Sequence, residues 1–226
     1  MPPVSPEILK QVKGIELRTR GLVGSLFAGE YRSVFRGQGM EFAEVRQYED
    51  GDDFRAIDWN VSARLGHPYI KTFIEEREIT LLLVVDQSGS TTFGTPRTKA
   101  GLAIEVASVL ALAAAKTNDR VGALLFADQV ERVIPPAKGR RHALRVIRDL
   151  VAFQPTGRRT NLAGALLYAA ELLRHRSIVV VLSDFLATGW EQPLRRLGVR
   201  HDVVAVQVED PRETELPDAG WLDLED

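Results

Sequence analysis

Residues 80–90 read TLLLVVDQSGS, and this stretch decides the fold. The run Leu81–Val85 is continuously apolar, and it leads into Asp86, followed at alternate positions by Ser88 and Ser90. A short apolar run bounded by polar and glycine residues is typical of a strand buried on both faces of a parallel sheet. Because open α/β sheets bind ligands at the carboxyl ends of their strands, this stretch predicts a central strand that delivers a carboxylate and two hydroxyls to a binding edge.

From residue 79 onward, apolar strands alternate with helices. The predicted strands are Leu81–Val85, Val121–Phe126, Ile178–Leu182 and Val203–Val208. The predicted helices are about Thr98–Lys116, His142–Phe153, Leu162–Arg174 and Gln192–Leu197. A further short edge strand, Gln129–Ile134, is expected to end at Pro135-Pro136. This alternation predicts the α/β class with a doubly wound, mostly parallel sheet.

The region before residue 79 follows another pattern. Ile8, Val12 and Ile15 share one face of a predicted helix. Glu41–Arg46 and Tyr69–Ile74 alternate polar and apolar residues, as half-buried strands do. We therefore predict three parts, namely a small helical and strand-rich appendage at 1–78, an α/β domain at 79–208 and a solvated acidic tail at 209–226.

Composition excludes several classes of function. The chain has 226 residues, and 45% of them are hydrophobic and 27% charged, which is ordinary for a globular protein. A net charge of −2 gives no basic excess, so we expect no nucleic-acid partner. The absence of cysteine excludes disulfides and thiol catalysis and fits a cytoplasmic location. No apolar stretch approaches the ~20 residues of a membrane span, so we expect no membrane insertion.

Two further segments carry oxygen ligands towards the same edge. Thr160 lies in the polar loop GRRTNL, and Asp184 ends the apolar segment SIVVVLSDF. Loops after neighbouring strands converge in a doubly wound sheet, and hard oxygen ligands suit Mg²⁺, which usually keeps several waters. We predict no catalytic residue and no organic cofactor, but a metal site formed by Asp86, Ser88, Ser90, Thr160 and Asp184.

The order of these residues resembles the metal-ion-dependent adhesion site of von Willebrand factor A domains. Upstream, GxGxEF from Gly37, RxYxxGDDxRxIDW from Arg46 and KxFxEER from Lys71 are similar to the bacterial "domain of unknown function 58" family, whose members are von Willebrand A-like. The resemblance implies that the serines and the threonine contact the metal directly or through water. It also implies that the aspartates act largely through water, and that an acidic residue of a partner takes the sixth coordination position.

The resemblance also implies a function. Members of this family are commonly associated with MoxR-type AAA+ ATPases and have no established catalytic activity. We therefore expect a non-enzymatic, metal-dependent protein-interaction module, an adaptor or recruiter that works with such an ATPase in client remodelling or maturation. The expected ion is Mg²⁺, with Mn²⁺ or Ca²⁺ as alternatives, and the client would supply the acidic residue.

Competing interpretations start from the same residues. A Mg²⁺-dependent aspartate-nucleophile phosphatase or phosphotransferase of haloacid-dehalogenase type would use Asp86, but it needs a second acid where Ser88 stands. A serine hydrolase needs glycines where Asp86 and Ser90 flank Ser88. In the simplest alternative the serines only cap the following helix.

Two groups of charged residues bear on these interpretations. Arg158 and Arg159 precede Thr160, and two cations beside a metal would weaken its binding unless their side chains point away. Upstream, a group of aspartates could suggest a second metal loop, but neighbouring arginines favour an internal ion-pair network. The members of this group are Asp50, Asp52, Asp53 and Asp58, with Arg46, Arg55 and Arg64.

Overall fold

The computed structural model describes residues 6–29, 41–74, 79–94 and 97–214, which fall into two compact units. The larger unit joins Met1–Arg32 with Ile79–Asp226, and the smaller one is Ser33–Glu78. Parts of the predicted appendage, at 30–40 and 75–78, and the end of the predicted tail, at 215–226, lie outside the described residues. Within the described ranges, no helix combines the length and the apolarity that a membrane crossing needs.

The described helices are α1 (Pro6–Gly29), α2 (Trp59–Leu65), α3 (Lys99–Lys116), α4 (Arg140–Ala152), α5 (Leu162–Leu172), α6 (Glu191–Arg200) and α7 (Pro211–Thr214). The described strands are β1 (Glu41–Gln47), β2 (Tyr69–Ile74), β3 (Thr80–Asp86), β4 (Arg120–Phe126), β5 (Val130–Lys138), β6 (Ile178–Ser183) and β7 (Asp202–Gln207). Short 3₁₀ helices cover Phe54–Ala56 and Gly89–Thr92.

The larger unit is built on a five-stranded sheet with the order β5-β4-β3-β6-β7. Neighbouring strands are parallel except for β4 and β5, which are antiparallel. Helices flank this sheet, so the predicted α/β class with a mostly parallel sheet is confirmed. The strand order reverses direction beside β3, because β4 lies on one side of it and β6 on the other. The carboxyl ends of β3 and β6 therefore meet at a topological switch point.

The central strand β3 is buried on both faces, as its sequence predicts. Leu82 and Val84 pack in one apolar cluster with Leu162 and Leu166 of α5 and Leu197 of α6. The alternate residues of β3 point to the opposite face, where α3 and α4 contact the sheet and α1 packs against both helices. Two-sided burial holds the end of β3 rigidly, and the site depends on this strand end.

The smaller unit contains the antiparallel pair β1–β2, the first 3₁₀ helix and α2. Both strands lie where the sequence predicted them. Asp58 caps α2 by accepting hydrogen bonds from the N–H groups of Asn60 and Val61, and Gly66 ends it with φ 75°. Strong caps at both ends make a seven-residue helix feasible in such a small unit.

The division of the chain differs from the predicted one in its first part. α1 belongs to the same unit as the sheet rather than to an appendage at 1–78, because its apolar face packs on α3 and α4. Val12 and Ile15 on this face are buried, as their spacing predicts. An ion pair between Arg18 and Glu105 of α3 (3.3 Å) adds to the contact.

The start of the predicted acidic tail is not a solvated segment. Asp210 is buried, and Glu213 in α7 forms an ion pair with Lys99 in α3. The prediction of a solvated tail from residue 209 is therefore wrong for Asp210 and Glu213, because the fold holds their side chains.

The edge strand β5 continues through Pro135-Pro136 to Lys138 instead of ending at the prolines. Its register against β4 shifts between Val121 and Ala123, so the prolines sit at an irregularity of an edge strand, where proline is tolerated. Gly122 makes room for them, because a Cβ there would lie 2.7 Å from the carbonyl oxygen of Ile134.

Candidate metal site

Asp86 is the last residue of β3, and its side chain is fully buried. Its Oδ1 accepts a hydrogen bond from the backbone N–H of Ser88 (2.9 Å), and its Oδ2 accepts one from the hydroxyl of Ser183 (2.6 Å). Burial raises the pKa of Asp86 more than these hydrogen bonds lower it, and the nearby charge of Asp184 adds to the increase. No cation among the described residues pairs with Asp86, so its charge favours a positive ion from outside.

Ser88 and Ser90 place their hydroxyl oxygens 3.2 Å apart, next to Asp86. Ser88 is the extended residue before the 3₁₀ helix Gly89–Thr92, and Ser90 is the second residue of that helix. The hydroxyl of Thr91 donates to the carbonyl of Ser88 (2.7 Å) and fixes the turn. Ser88 is buried and Ser90 is half-buried, so the two hydroxyls lie where the core meets the surface.

Thr160 lies in a loop whose backbone is tied to the same edge. The N–H of Gly89 donates to the carbonyl of Arg158 (2.7 Å), and the N–H of Asn161 donates to the carbonyl of Ala127 (2.8 Å) after β4. A Cβ on Gly89 would lie 3.0 Å from that Arg158 carbonyl, so the glycine permits the close approach. Thr160 itself is half-buried between these two anchors.

Arg158 and Arg159 are both exposed. The backbone N–H of Arg159, not its guanidinium, is held by the carboxylate of Asp128 (2.6 Å). The sequence suggested that these two arginines could weaken metal binding. Neither side chain is buried beside the site.

Asp184 follows β6 directly, and its side chain is 2% exposed. Its Oδ2 accepts a hydrogen bond from the ammonium of Lys99 at 2.9 Å, and its Oδ1 accepts one from the N–H of Leu186. Burial alone would raise the pKa of Asp184, but Lys99, the hydroxyl of Ser90 and the Leu186 amide together hold it below its usual value. Asp184 therefore has an internal cation, which Asp86 lacks.

Lys99 is the site residue that the sequence did not reveal. It is the first residue of α3, with Thr98 as the N-cap, and its side chain is 2% exposed. A cation at a helix N-terminus is electrostatically unfavourable, so a lysine at the start of an apolar helix was a usable signal for nearby carboxylates. The other carboxylate on Lys99 is Glu213, at 2.5 Å. Burial would lower the pKa of Lys99, but Glu213 and Asp184 raise it above its usual value.

The chemistry of these residues fits a divalent cation. Among the residues that the structure describes, no three His, Cys, Asp or Glu side chains form a metal-binding cluster, so a site here relies on two carboxylates and on hydroxyls. Such a set suits a hard cation that keeps several waters and leaves a position open to another ligand. The structure brings Asp86, Ser88, Ser90 and Asp184 together through hydrogen bonds and near charges, and it anchors the loop of Thr160 beside them.

Three aspartates of the smaller unit, Asp52, Asp53 and Asp58, form ion pairs or helix caps. Arg46 donates two hydrogen bonds to Asp52, at 2.8 and 2.7 Å, which confirms an ion pair from the predicted network. Asp58 pairs with Lys71 at 3.0 Å rather than with an arginine. These contacts satisfy both carboxylates, so they offer no second metal loop.

Fold and site together define an α/β protein with an oxygen-rich edge at the switch point of a mostly parallel sheet. Residues 44–226 match the family described as "Protein of unknown function DUF58", and the chain belongs to this family.

The chain is also similar to several individual proteins. The uncharacterized protein Rv1480 of Mycobacterium tuberculosis is 35% identical over 225 residues, which cover 98% of this chain and 71% of that protein. The uncharacterized protein YeaD of Bacillus subtilis is 31% identical over 110 residues, covering 48% of this chain and 25% of YeaD. An aerotolerance-related membrane protein from Bacteroides fragilis shares the fold, with a TM-score of 0.52 at 19% identity over 66% of this chain and 76% of that one.

Proposed function

We propose that this chain is a cytoplasmic, Mg²⁺-dependent protein-interaction module that works with a MoxR-type AAA+ ATPase as an adaptor or recruiter. The observation that carries the proposal is Asp86, a buried carboxylate beside two hydroxyls at the switch point, with which no cation of the described residues pairs. A stable fold gains nothing from such a charge, whereas a binding site does. The resemblance of the site to the metal-ion-dependent adhesion site supports the choice of ion and of a protein partner.

The residues have distinct roles in this proposal. Ser88, Ser90 and Thr160 would hold the ion through their hydroxyls, while Asp86 and Asp184 would bind its waters. When bound, the ion would offer its open position to a carboxylate of a partner protein. Asp86 would orient the site through its hydrogen bonds to the Ser88 N–H and the Ser183 hydroxyl.

A phosphotransferase is less well supported than an interaction module. Both oxygens of Asp86 already accept hydrogen bonds inside the protein, which weakens this carboxylate as a nucleophile. Ser88 occupies the position of the required second acid, and an unactivated hydroxyl is a poor proton donor at neutral pH. We therefore propose that the site binds and does not catalyse.

A titration with Mg²⁺ by calorimetry tests the metal part of the proposal. We expect saturable binding to the wild type and its loss in Ser88→Ala/Ser90→Ala, because the hydroxyl ligands are gone. Ser108→Ala is the matched control, since the buried Ser108 hydroxyl only donates to the carbonyl of Ile104 (2.6 Å) inside α3. Equal binding by all three proteins would contradict the proposed ligands.

The same proteins test the functional part. The purified MoxR-type ATPase of the same genome is immobilised, and its association with each variant is measured. The Mg²⁺ concentration is the same in every measurement, so any effect of Mg²⁺ on the ATPase itself is constant. We expect binding of the wild type and of Ser108→Ala, but not of the double variant. Hydrolysis of p-nitrophenyl phosphate that is lost in Asp86→Asn would instead support the phosphatase alternative and overturn the non-enzymatic proposal.

A further inference from the structure

Lys99 links the candidate metal site to helix α7. Its ammonium lies 2.9 Å from Asp184 Oδ2 and 2.5 Å from Glu213 Oε1. The lysine side chain is 2% exposed and that of Glu213 is 29% exposed. Lys99 therefore connects Asp184, a predicted metal-site residue in the core, with Glu213 near the surface. Glu213 lies 114 positions after Lys99 in the chain.

The charges around the site are unevenly balanced. Asp86 and Asp184 are both buried, and the pKa of Asp86 is raised in part by the charge of Asp184. Of these two carboxylates, Asp184 is the one that pairs with Lys99. A divalent ion that enters beside Asp86 would be repelled by Lys99 and would compete with it for Asp184, and such interactions are strong where water is excluded.

Glu213 weakens this competition. One oxygen of its carboxylate binds Lys99, and the other accepts a hydrogen bond from the N–H of Asp210 (3.3 Å). Asp210 in turn accepts a hydrogen bond from the N–H of Arg212 (2.9 Å), so the two acids cap α7 reciprocally. This geometry holds the Glu213 charge on Lys99 and reduces the positive potential at Asp184.

We propose that Lys99 is a resident cation that sets the metal affinity of the site, and that Glu213 in α7 raises this affinity by sharing the lysine charge with Asp184. The inference rests on the proposed metal site and adds two residues to it. It also couples the site to the position of α7, because a four-residue helix depends on its contacts with the rest of the fold. A partner that displaces α7 would release Glu213 and weaken metal binding.

The two residues make opposite predictions for Mg²⁺ affinity. Lys99→Met removes the competing cation and leaves Asp184 free for the ion, so we expect affinity to rise by roughly fivefold or more. Glu213→Gln keeps the size of the side chain but leaves the lysine charge to Asp184 alone, so we expect affinity to fall by roughly fivefold or more. A purely structural ion pair would instead move the stability of the metal-free protein and leave the affinity unchanged.

The experiment is a calorimetric Mg²⁺ titration of the full chain in four variants, compared with the wild type. Lys99→Met leaves the Glu213 carboxylate without its cation and could therefore fail to fold. The double variant Lys99→Met/Glu213→Gln removes both charges and keeps the test valid in that case. Glu209→Gln is the matched control, since Glu209 is exposed and accepts a hydrogen bond from Gln207 rather than from Lys99. Circular dichroism verifies that each variant is folded.

Higher affinity in the lysine variants, lower affinity in Glu213→Gln and no change in Glu209→Gln would support the inference. Wild-type affinity in all folded variants would overturn it and leave the proposed metal site intact. A lack of Mg²⁺ binding in both the wild type and the folded double variant, which has no competing lysine, would overturn the metal site together with the inference.

Discussion

At the scale of single residues, the buried charge of Asp86 lowers the stability of the metal-free protein. Its pKa is raised, chiefly by burial, so the folded state binds more protons than the unfolded state between the two pKa values. Stability therefore falls as the pH rises through this window, and the full loss is present above the folded-state pKa of Asp86. A residue that destabilises the fold in this way is more easily explained by binding than by structure.

The first prediction is that Asp86→Asn stabilises the metal-free protein at neutral pH. Asparagine has nearly the same shape and removes the buried charge, so we expect the free energy of unfolding in EDTA to rise by roughly 1–3 kcal/mol. The gain should shrink as the pH falls below the folded-state pKa of Asp86, and it should vanish below the unfolded-state pKa of aspartate, where Asp86 is neutral in both states. Urea unfolding at several pH values measures both effects.

Asp202→Asn is the control for this prediction, because Asp202 forms an exposed ion pair with Arg176 at 2.6 Å. Such pairs contribute little, so its removal should change stability by less than about 1 kcal/mol. If Asp86→Asn destabilises the protein at neutral pH while Asp202→Asn does not, Asp86 has a structural role that this account does not give it.

The site was predictable in part, and the limit is visible in single residues. Asp86, Ser88 and Ser90 were identifiable because they follow a continuous apolar run, which predicts a buried strand. The position of Lys99 at a helix N-terminus indicates nearby carboxylates, but the sequence could not identify Asp184 and Glu213 as its partners, because they are 85 and 114 positions away in the chain. Spacing along a helix reveals neighbours three or four residues apart, whereas contacts between distant segments need the fold.

At the scale of elements, the site depends on the contact between the 3₁₀ helix Gly89–Thr92 and the loop that holds Thr160. The hydrogen bond from the Gly89 N–H to the Arg158 carbonyl joins them at 2.7 Å. No side chain contributes to this hydrogen bond, so the relative position of the serine hydroxyls and Thr160 is fixed by backbone geometry.

The second prediction is that Gly89→Ala weakens Mg²⁺ binding without unfolding the protein. The new methyl group would lie 3.0 Å from the Arg158 carbonyl, so the loop must move. We expect a loss of about tenfold in affinity, the lower end of what residues that support metal ligands contribute. Calorimetric titration measures the loss.

The control for this prediction is Gly198→Ala in α6, where nothing lies within 4 Å of the added methyl group. Alanine should stabilise this helix by up to about 1 kcal/mol and leave the metal affinity unchanged. Unchanged affinity in Gly89→Ala would show that the Thr160 loop does not contribute to the site.

Most elements were predictable from sequence, and the exceptions have local causes. β5 crosses Pro135-Pro136 because an irregular edge strand can lack two N–H donors, which the sequence alone does not reveal. α7 was missed although Asp210 and Glu213 have the spacing of a reciprocal cap with Pro211 at the first helical position. The excess of acids obscured this signal, because runs of like charge usually indicate a solvated segment.

At the scale of the whole molecule, metal binding and folding should be linked. An ion that binds only the folded state adds about 1.4 kcal/mol of stability for each tenfold increase in its concentration above the dissociation constant.

The third prediction is that the melting temperature of the wild type rises steadily with the concentration of Mg²⁺. Differential scanning calorimetry measures it, and Asp86→Asn should show no such rise. A parallel rise in both proteins would indicate a general salt effect.

The division of the chain into units shows a second limit of sequence reasoning. The apolar face of α1 was evident from Val12 and Ile15, but an amphipathic pattern does not say which surface it covers. α1 packs on α3 and α4 within the larger unit, although residues 33–78, which form the smaller unit, separate it from both in sequence. Periodicity therefore predicted the element but not its partner.

A divalent ion should bind where β3 and β6 end, and anomalous diffraction from crystals grown with Mn²⁺ would locate it. We expect one strong anomalous peak within bonding distance of the hydroxyls of Ser88 and Ser90, with Asp86 and Asp184 around it. The peak should be absent in Ser88→Ala/Ser90→Ala crystals grown under the same conditions. Well-ordered wild-type crystals that show no peak at this edge, or a peak only elsewhere, would contradict the account.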